Sequence, residues 1–167
     1  ADQSAHMHIG GVMLLEPPPG GAAPDLETVR AGLEARLDRL PRYRQRLSEP
    51  RTRGLRWPSW IDDERFEIAH HVRAAALPEP AGEAELLAWA GEYFSTRLDR
   101  ARPLWELVLI SLADGRWALV SKTHHCMVDG VGSIDIAHTL FDTEPEFEPA
   151  APSARRLAAA PRAPSLS

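Results

Sequence analysis

The chain has 167 residues, 44% of them hydrophobic, and a formal net charge of −5 at neutral pH. That length fits a single domain, or one domain with a tail, and the apolar content is enough for a buried core. The negative balance argues against a nucleic-acid partner, and a single cysteine, Cys126, excludes an internal disulfide framework and suits a reducing, cytoplasmic compartment. No apolar run approaches the roughly 20 residues of a membrane span.

The chain opens at Ala1 without an initiator methionine and close to a strand-like run, so a cut start is expected. Residues 8–15, HIGGVMLL, are apolar, contain two glycines and show no helical stripe, which predicts a buried strand crossed closely by another backbone. PPPGGAAP then breaks the pattern. From Asp25 the apolar positions Leu26, Val29, Leu33, Leu37 and Leu40 recur at steps of three and four, predicting a helix started by Pro24 and Asp25 and stopped before Pro41.

Between Arg30 and Arg56 lie nine arginines against three acids, a basic stretch read first as a solvated helix face and loop, ahead of an anionic-ligand or membrane surface. Residues 41–62 read as irregular, with Trp57 and Trp60 anchoring them to the core. Phe66, Ile68, His70 and Val72 alternate with Glu67, Ala69, His71 and Arg73, which predicts a half-buried strand. After Pro78 to Gly82 a second helix is expected over about 83–98, with Leu86, Leu87, Ala90, Tyr93, Phe94 and Leu98 on its apolar side.

Two strands, 105–112 and 116–123, meet through Asp114-Gly115, a pair suited to a tight hairpin turn. Beyond the glycines at 130 and 132, Ile134 to Phe141 predict a short helix, and the segment from Thr143 is rich in Ala and Pro. Residues 1–142 are therefore expected to form the folded unit and 143–167 a linker or tail. Mixed helices and antiparallel strands indicate an α/β sandwich without a Rossmann pattern.

The second hairpin strand ends in His124-His125-Cys126-Met127-Val128-Asp129-Gly130, a titratable cluster where a sheet gives way to a loop. A neutral imidazole can take a proton from an attacking alcohol and return it to a leaving group. Neighbours on a strand face opposite ways, so His124 and His125 are expected to do different jobs. Asp129 could orient a ring or lock the loop, and Gly130 lets the backbone turn. By local chemistry alone, two ordinary histidines at a strand end are as good a reading as catalysis.

The heptad HHCMVDG resembles the HHxxxDG motif of the bacterial wax ester synthase/acyl-CoA:diacylglycerol acyltransferase family. Other segments agree in order. Arg102-Pro103-Leu104-Trp105-Glu106 resembles the family's PLW motif, Met7-His8-Ile9-Gly10-Gly11 its early strand, and Pro41 to Leu47 its arginine-rich segment; Trp60-Ile61-Asp62-Asp63 and His71-Val72-Arg73 also fall where similar residues are expected.

The resemblance implies a chloramphenicol acetyltransferase-like two-layer α/β sandwich, with a mixed, mostly antiparallel sheet packed by helices, forming one half of a two-half enzyme. It implies transfer of a fatty acyl group from acyl-CoA, as co-substrate and with no bound cofactor, to a long-chain alcohol or diacylglycerol. His125 matches the proposed general base, His124 a supporting neighbour, Asp129 the residue that holds the site together and Gly130 the motif glycine. Pro103, Leu104 and Trp105 match residues associated with substrate handling, yet Leu104 and Trp105 are equally what a core strand would use. Family members are roughly twice as long, so the C-terminal half, on the same or a separate chain, is an expected partner, and a peripheral membrane or lipid-droplet location is implied.

Three rivals follow from the same residues. A zinc site is disfavoured because His124, His125 and Cys126 are consecutive and no CxxC or HExxH accompanies them, so no metal is expected; His6 and His8 read as structural. Cys126 as a nucleophile is disfavoured by the same adjacency, and a buried apolar cysteine is expected. The third is a noncatalytic acyl-CoA-binding or assembly module. A condensation-domain-like acyl or amide transferase is the nearer enzyme alternative, since such domains also use HHxxxDG.

Overall fold

Helix α1 (Leu26–Leu37) begins as its sequence predicts: Asp25 is the N-cap and its Oδ1 accepts from Thr28 N at 2.7 Å, satisfying one of the amides a helix start leaves unpaired. In the computed structural model, which describes residues 7–48 and 58–127, α1 directs Leu33 and Leu37 into the core. The expected helix over Ile134 to Phe141, Trp57, His6, the tail from Thr143, and Asp129 and Gly130 all lie outside the described residues.

Residues 41–62 are more regular than their composition suggests. Pro41–Arg44 forms a 3₁₀ turn, and β2 (Gln45–Leu47) pairs antiparallel with β3 (Trp60–Asp62) in a small separate sheet. Trp60 packs against the core as expected, with the Arg42 guanidinium 4.3 Å from its ring centroid. The basic stretch is also used inside the fold. Arg30 Nε donates to Val72 O at 2.9 Å, Arg44 lies over the Phe66 ring, and Arg46 approaches Asp63 at 3.9 Å.

The predicted strand over Phe66 to Val72 is corrected. Ile68–His71 makes one helical turn, α2, and only then does the chain extend as β4 (Val72–Ala75). The turn rotates His71, not His70, into the core, where its ring stacks on Phe66 at 5.1 Å and on Trp105 at 4.7 Å. Helix α3 (Glu83–Ser95) stops three residues short of the expected end, although Leu98 is still buried, and Leu87 faces solvent at 64% exposure. Its Glu85 Oε2 reaches back to accept from Gly82 N at 2.9 Å, which fixes its start.

Strands β5 (Trp105–Ser111) and β6 (Trp117–His124) form the expected hairpin, with Gly115 at φ +88° where a side chain would be strained. With β1 (His8–Leu15) they build a four-stranded mixed sheet in the order β1-β6-β5-β4, antiparallel except for the β4–β5 pair. Period-two alternation sends Trp105, Leu107, Leu109 and Leu119 to one face, against α1 and Tyr43. Val108, Ile110, Ala118 and Val120 go to the other face, against Leu86 and Ala90 of α3.

Strand β1 is not the buried strand that its composition predicts. It is the sheet edge, and Ile9, Val12, Met13 and Leu14 are each at least 36% exposed. Its glycine does answer a close approach, but to a side chain: a Cβ on Gly10 would lie 2.3 Å from the Phe94 ring.

Candidate active site at the end of β6

The hairpin delivers His124 as the last residue of β6 and His125 as the first of a 3₁₀ turn, His125–Met127. Two backbone bonds fix the junction. His124 N donates to Leu104 O at 2.9 Å, and His125 N donates to Met7 O at 2.7 Å, so the motif hangs between the start of β5 and the start of β1.

The two histidines have different surroundings, as expected for neighbours at a strand end. His124 is half-buried and its Nδ1 accepts from Cys126 N at 3.2 Å, which places its proton on Nε2 in the neutral ring. Burial first, then the charges of Arg100, His8 and His125, hold it below the ordinary histidine value, so it is neutral near pH 7. His125 is exposed.

Cys126 is exposed, which corrects the expectation of a buried cysteine. Desolvation still pushes its thiol above the ordinary value, against the opposing charges of Arg100 and Arg42, so it stays protonated and is a poor nucleophile.

Pro103, Leu104 and Trp105 are all buried. Leu104 is 1% exposed and Trp105 3% exposed; Trp105 Nε1 donates to Tyr43 O at 2.9 Å, and the Trp105 carbonyl accepts from His71 Nδ1 at 2.8 Å. Among the described residues no cluster of three or more metal-ligating side chains occurs.

The profile of the wax ester synthase/diacylglycerol acyltransferase catalytic domain matches residues 1–166. The chain belongs to this family. It is 39% identical over 139 residues to the probable diacylglycerol O-acyltransferase tgs3 of Mycobacterium tuberculosis, covering 81% of this chain and 49% of the relative. Against the probable diacylglycerol O-acyltransferase tgs1 of the same organism it is 39% identical over 142 residues, covering 84% of this chain and 30% of the relative.

Among solved structures, the wax ester synthase/diacylglycerol acyltransferase of Marinobacter aquaeolei matches with TM-score 0.61 and 38% identity, over 79% of this chain and 33% of that one. The starter condensation domain of rhizomide synthetase, solved in complex with C8-CoA, matches with TM-score 0.62 and 18% identity over 80% of this chain and 29% of that one, a likeness of fold alone. The expected family and its α/β fold are thus established, and the chain spans between about a third and a half of the length of these family relatives.

Sequence reasoning missed Lys122 and Arg100. Lys122 continues the inward face of Ala118 and Val120, which was the available signal for the first; nothing local marks Arg100.

Proposed function

We propose that this chain is the motif-bearing part of an acyl-CoA-dependent O-acyltransferase that moves a fatty acyl group from the CoA thioester to a long-chain alcohol or diacylglycerol. The observation that carries the proposal is an exposed His125, held by its backbone at the end of β6, in a chain of this family.

His125 takes the proton of the acceptor hydroxyl as the oxygen attacks the thioester carbonyl. The tetrahedral intermediate collapses, the C–S bond breaks, and the imidazolium returns the proton to the departing thiolate of CoA. The protonated Cys126 thiol favours this direct attack over an acyl-enzyme. His124 supports the turn, Asp129 and Gly130 complete the motif, and the buried Pro103, Leu104 and Trp105 serve the site through the core, Leu104 O anchoring His124 N at the entry to β5.

The remaining length of the relatives is proposed to supply the second half, on the same or another chain, that closes over acyl-CoA. No helix among the described residues is long and apolar enough to cross a membrane; lipid substrates favour a cytoplasmic protein peripheral to the inner membrane or lipid droplets.

The test is CoA release from palmitoyl-CoA with hexadecanol or diacylglycerol, by this chain with and without the second half. Wild type and His125→Ala are compared under each condition. General acid–base assistance of this kind is worth roughly 100- to 10,000-fold, so His125→Ala is expected to lose that much. Activity near wild type in His125→Ala would remove the assignment. Binding of acyl-CoA without turnover in any mixture would make the chain a binding module.

A further inference from the structure

The C-terminal end of α3 is capped by the sheet. Helix ends leave four carbonyls unpaired, commonly answered by a following glycine, but Thr96 follows Ser95 here. Thr96 N and Oγ1 donate to Tyr93 O and Ser95 Oγ donates to Glu92 O, and two strands add further donors. Lys122 of β6, with its side chain 0% exposed, sends Nζ to Tyr93 O at 3.1 Å, Thr96 O at 3.2 Å and Thr96 Oγ1 at 2.9 Å. His8 of β1 places Nε2 2.7 Å from Phe94 O.

A lysine is a costly choice for this position if only volume matters. A buried ammonium is penalised by several kcal/mol unless its donors are used and its charge is answered, and an apolar chain of similar size avoids that penalty altogether. Here all three Nζ hydrogens have acceptors at the negative end of a helix, and the Tyr93 ring lies 3.9 Å away. The charged groups that face Lys122 are Glu106 of β5, at 3.9 Å, and beyond it Arg73 of β4, which Glu106 holds at 3.1 Å. Tyr93 of α3 donates its hydroxyl to the same Glu106 oxygen at 2.7 Å.

The location of the grip matters more than its strength. Lys122 is paired across the sheet with Gly10, two positions before the motif, and His8 is paired with His124, the first residue of the motif itself. The segment that leaves the clasped helix end runs from Thr96 to Arg100, and Arg100 acts on both His124 and Cys126. His8 of β1 sits opposite His124 in the sheet, and the charges of Arg100, His8 and the neighbouring His125 all lower its value, after burial.

We infer that Lys122 is a positioning residue for the proposed transfer: by clasping the end of α3, which His8 also holds from its place opposite His124, it fixes the end of β6 and how the strand hands His125 to its turn. The inference rests on the proposed acyltransferase function, and its test separates the two.

Lys122→Met is made in the natural full-length protein, with His125→Ala beside it. Turnover of palmitoyl-CoA and the NMR titration of the His124 ring are then followed. The expected result is a kcat about tenfold lower with KM changed less than about twofold, and a His124 titration moved up by about half a pH unit as Arg100 and the surrounding packing withdraw. A merely structural lysine would lower Tm and leave the kcat/KM split and the His124 titration as they were; that result overturns the inference.

If Lys122→Met does not fold, Thr96→Val removes one Lys122 acceptor, together with the Thr96 Oγ1 bond to Tyr93 O, while keeping the shape. The same changes are then expected at about threefold in kcat, and their absence is equally fatal. Full activity in His125→Ala would end the catalytic proposal, while the His124 titration would still decide the role of Lys122.

Discussion

The imidazole of His71 lies nearly parallel to the indole of Trp105, with ring centroids 4.7 Å apart and planes 19° apart, and its Nδ1 donates to the Trp105 carbonyl at 2.8 Å. Burial is the main cause that holds His71 below the ordinary histidine value, ahead of the charges of Arg102 and His70, with the Trp105 bond and Glu106 opposing. The folded state therefore binds that proton less well than the unfolded chain. Stability contributed here is present above the unfolded value of about 6.5 and is lost as pH falls below it. His124 shifts the same way and adds to the slope. Urea midpoints measured from pH 7.5 down to 5 are expected to fall, and His71→Phe should flatten part of that fall. An unchanged slope in His71→Phe would place the dependence elsewhere.

Trp105→Phe is expected to lower stability by about 1–3 kcal/mol. It leaves the ring stack but strands the buried Tyr43 carbonyl that Trp105 Nε1 now satisfies. Thermal denaturation measures the loss. KM for acyl-CoA should stay constant if Trp105 serves the core; a raised KM with an unmoved Tm would give it to the substrate.

Gly10→Ala meets the Phe94 ring at 2.3 Å, so the ring must move and α3 with it. The expected penalty is about 1–3 kcal/mol, as for other overpacked sites. Phe94→Ala should relieve most of it, so the double variant is less destabilised than the sum of the singles. Additive losses would mean that the glycine answers some other need.

Gly115→Ala isolates a different effect, because a Cβ there meets nothing within 4 Å and only the backbone at φ +88° objects. A loss of about 1–2 kcal/mol is expected from left-handed strain in the hairpin turn, with no change in activity per folded molecule. A neutral substitution would show that the turn relaxes.

The parts legible in the sequence share one property: their information lies within a few residues. The Asp25 cap and the stripe through Leu33 and Leu37 gave α1 its start and buried face, and Asp114-Gly115 gave the hairpin. The heptad from His124 and the PLW residues gave the family. Where local pattern was ambiguous, it misled. The alternation from Phe66 to Val72 fits a strand, but α2 turns there because His71 gains a stack and a hydrogen bond with Trp105, 34 positions away.

Tertiary structure alone decided the rest. Glycines 10 and 11 promised a buried strand, whereas sheet order put β1 at the edge and made Gly10 the seat for Phe94. Lys122 sits beside Ser121, Thr123 and His124 in β6, and only the end of α3, 26 positions away, supplies the acceptors that let it be buried. The exposure of His125 and the half-burial of His124 follow from where β6 ends and its turn begins. The sequence by itself thus determined the local elements, the motif and the family, through periodicity, caps and turn residues. Only the fold decided which strand is an edge, which polar groups are buried and what answers them, because burial depends on partners distant in sequence that no local window contains.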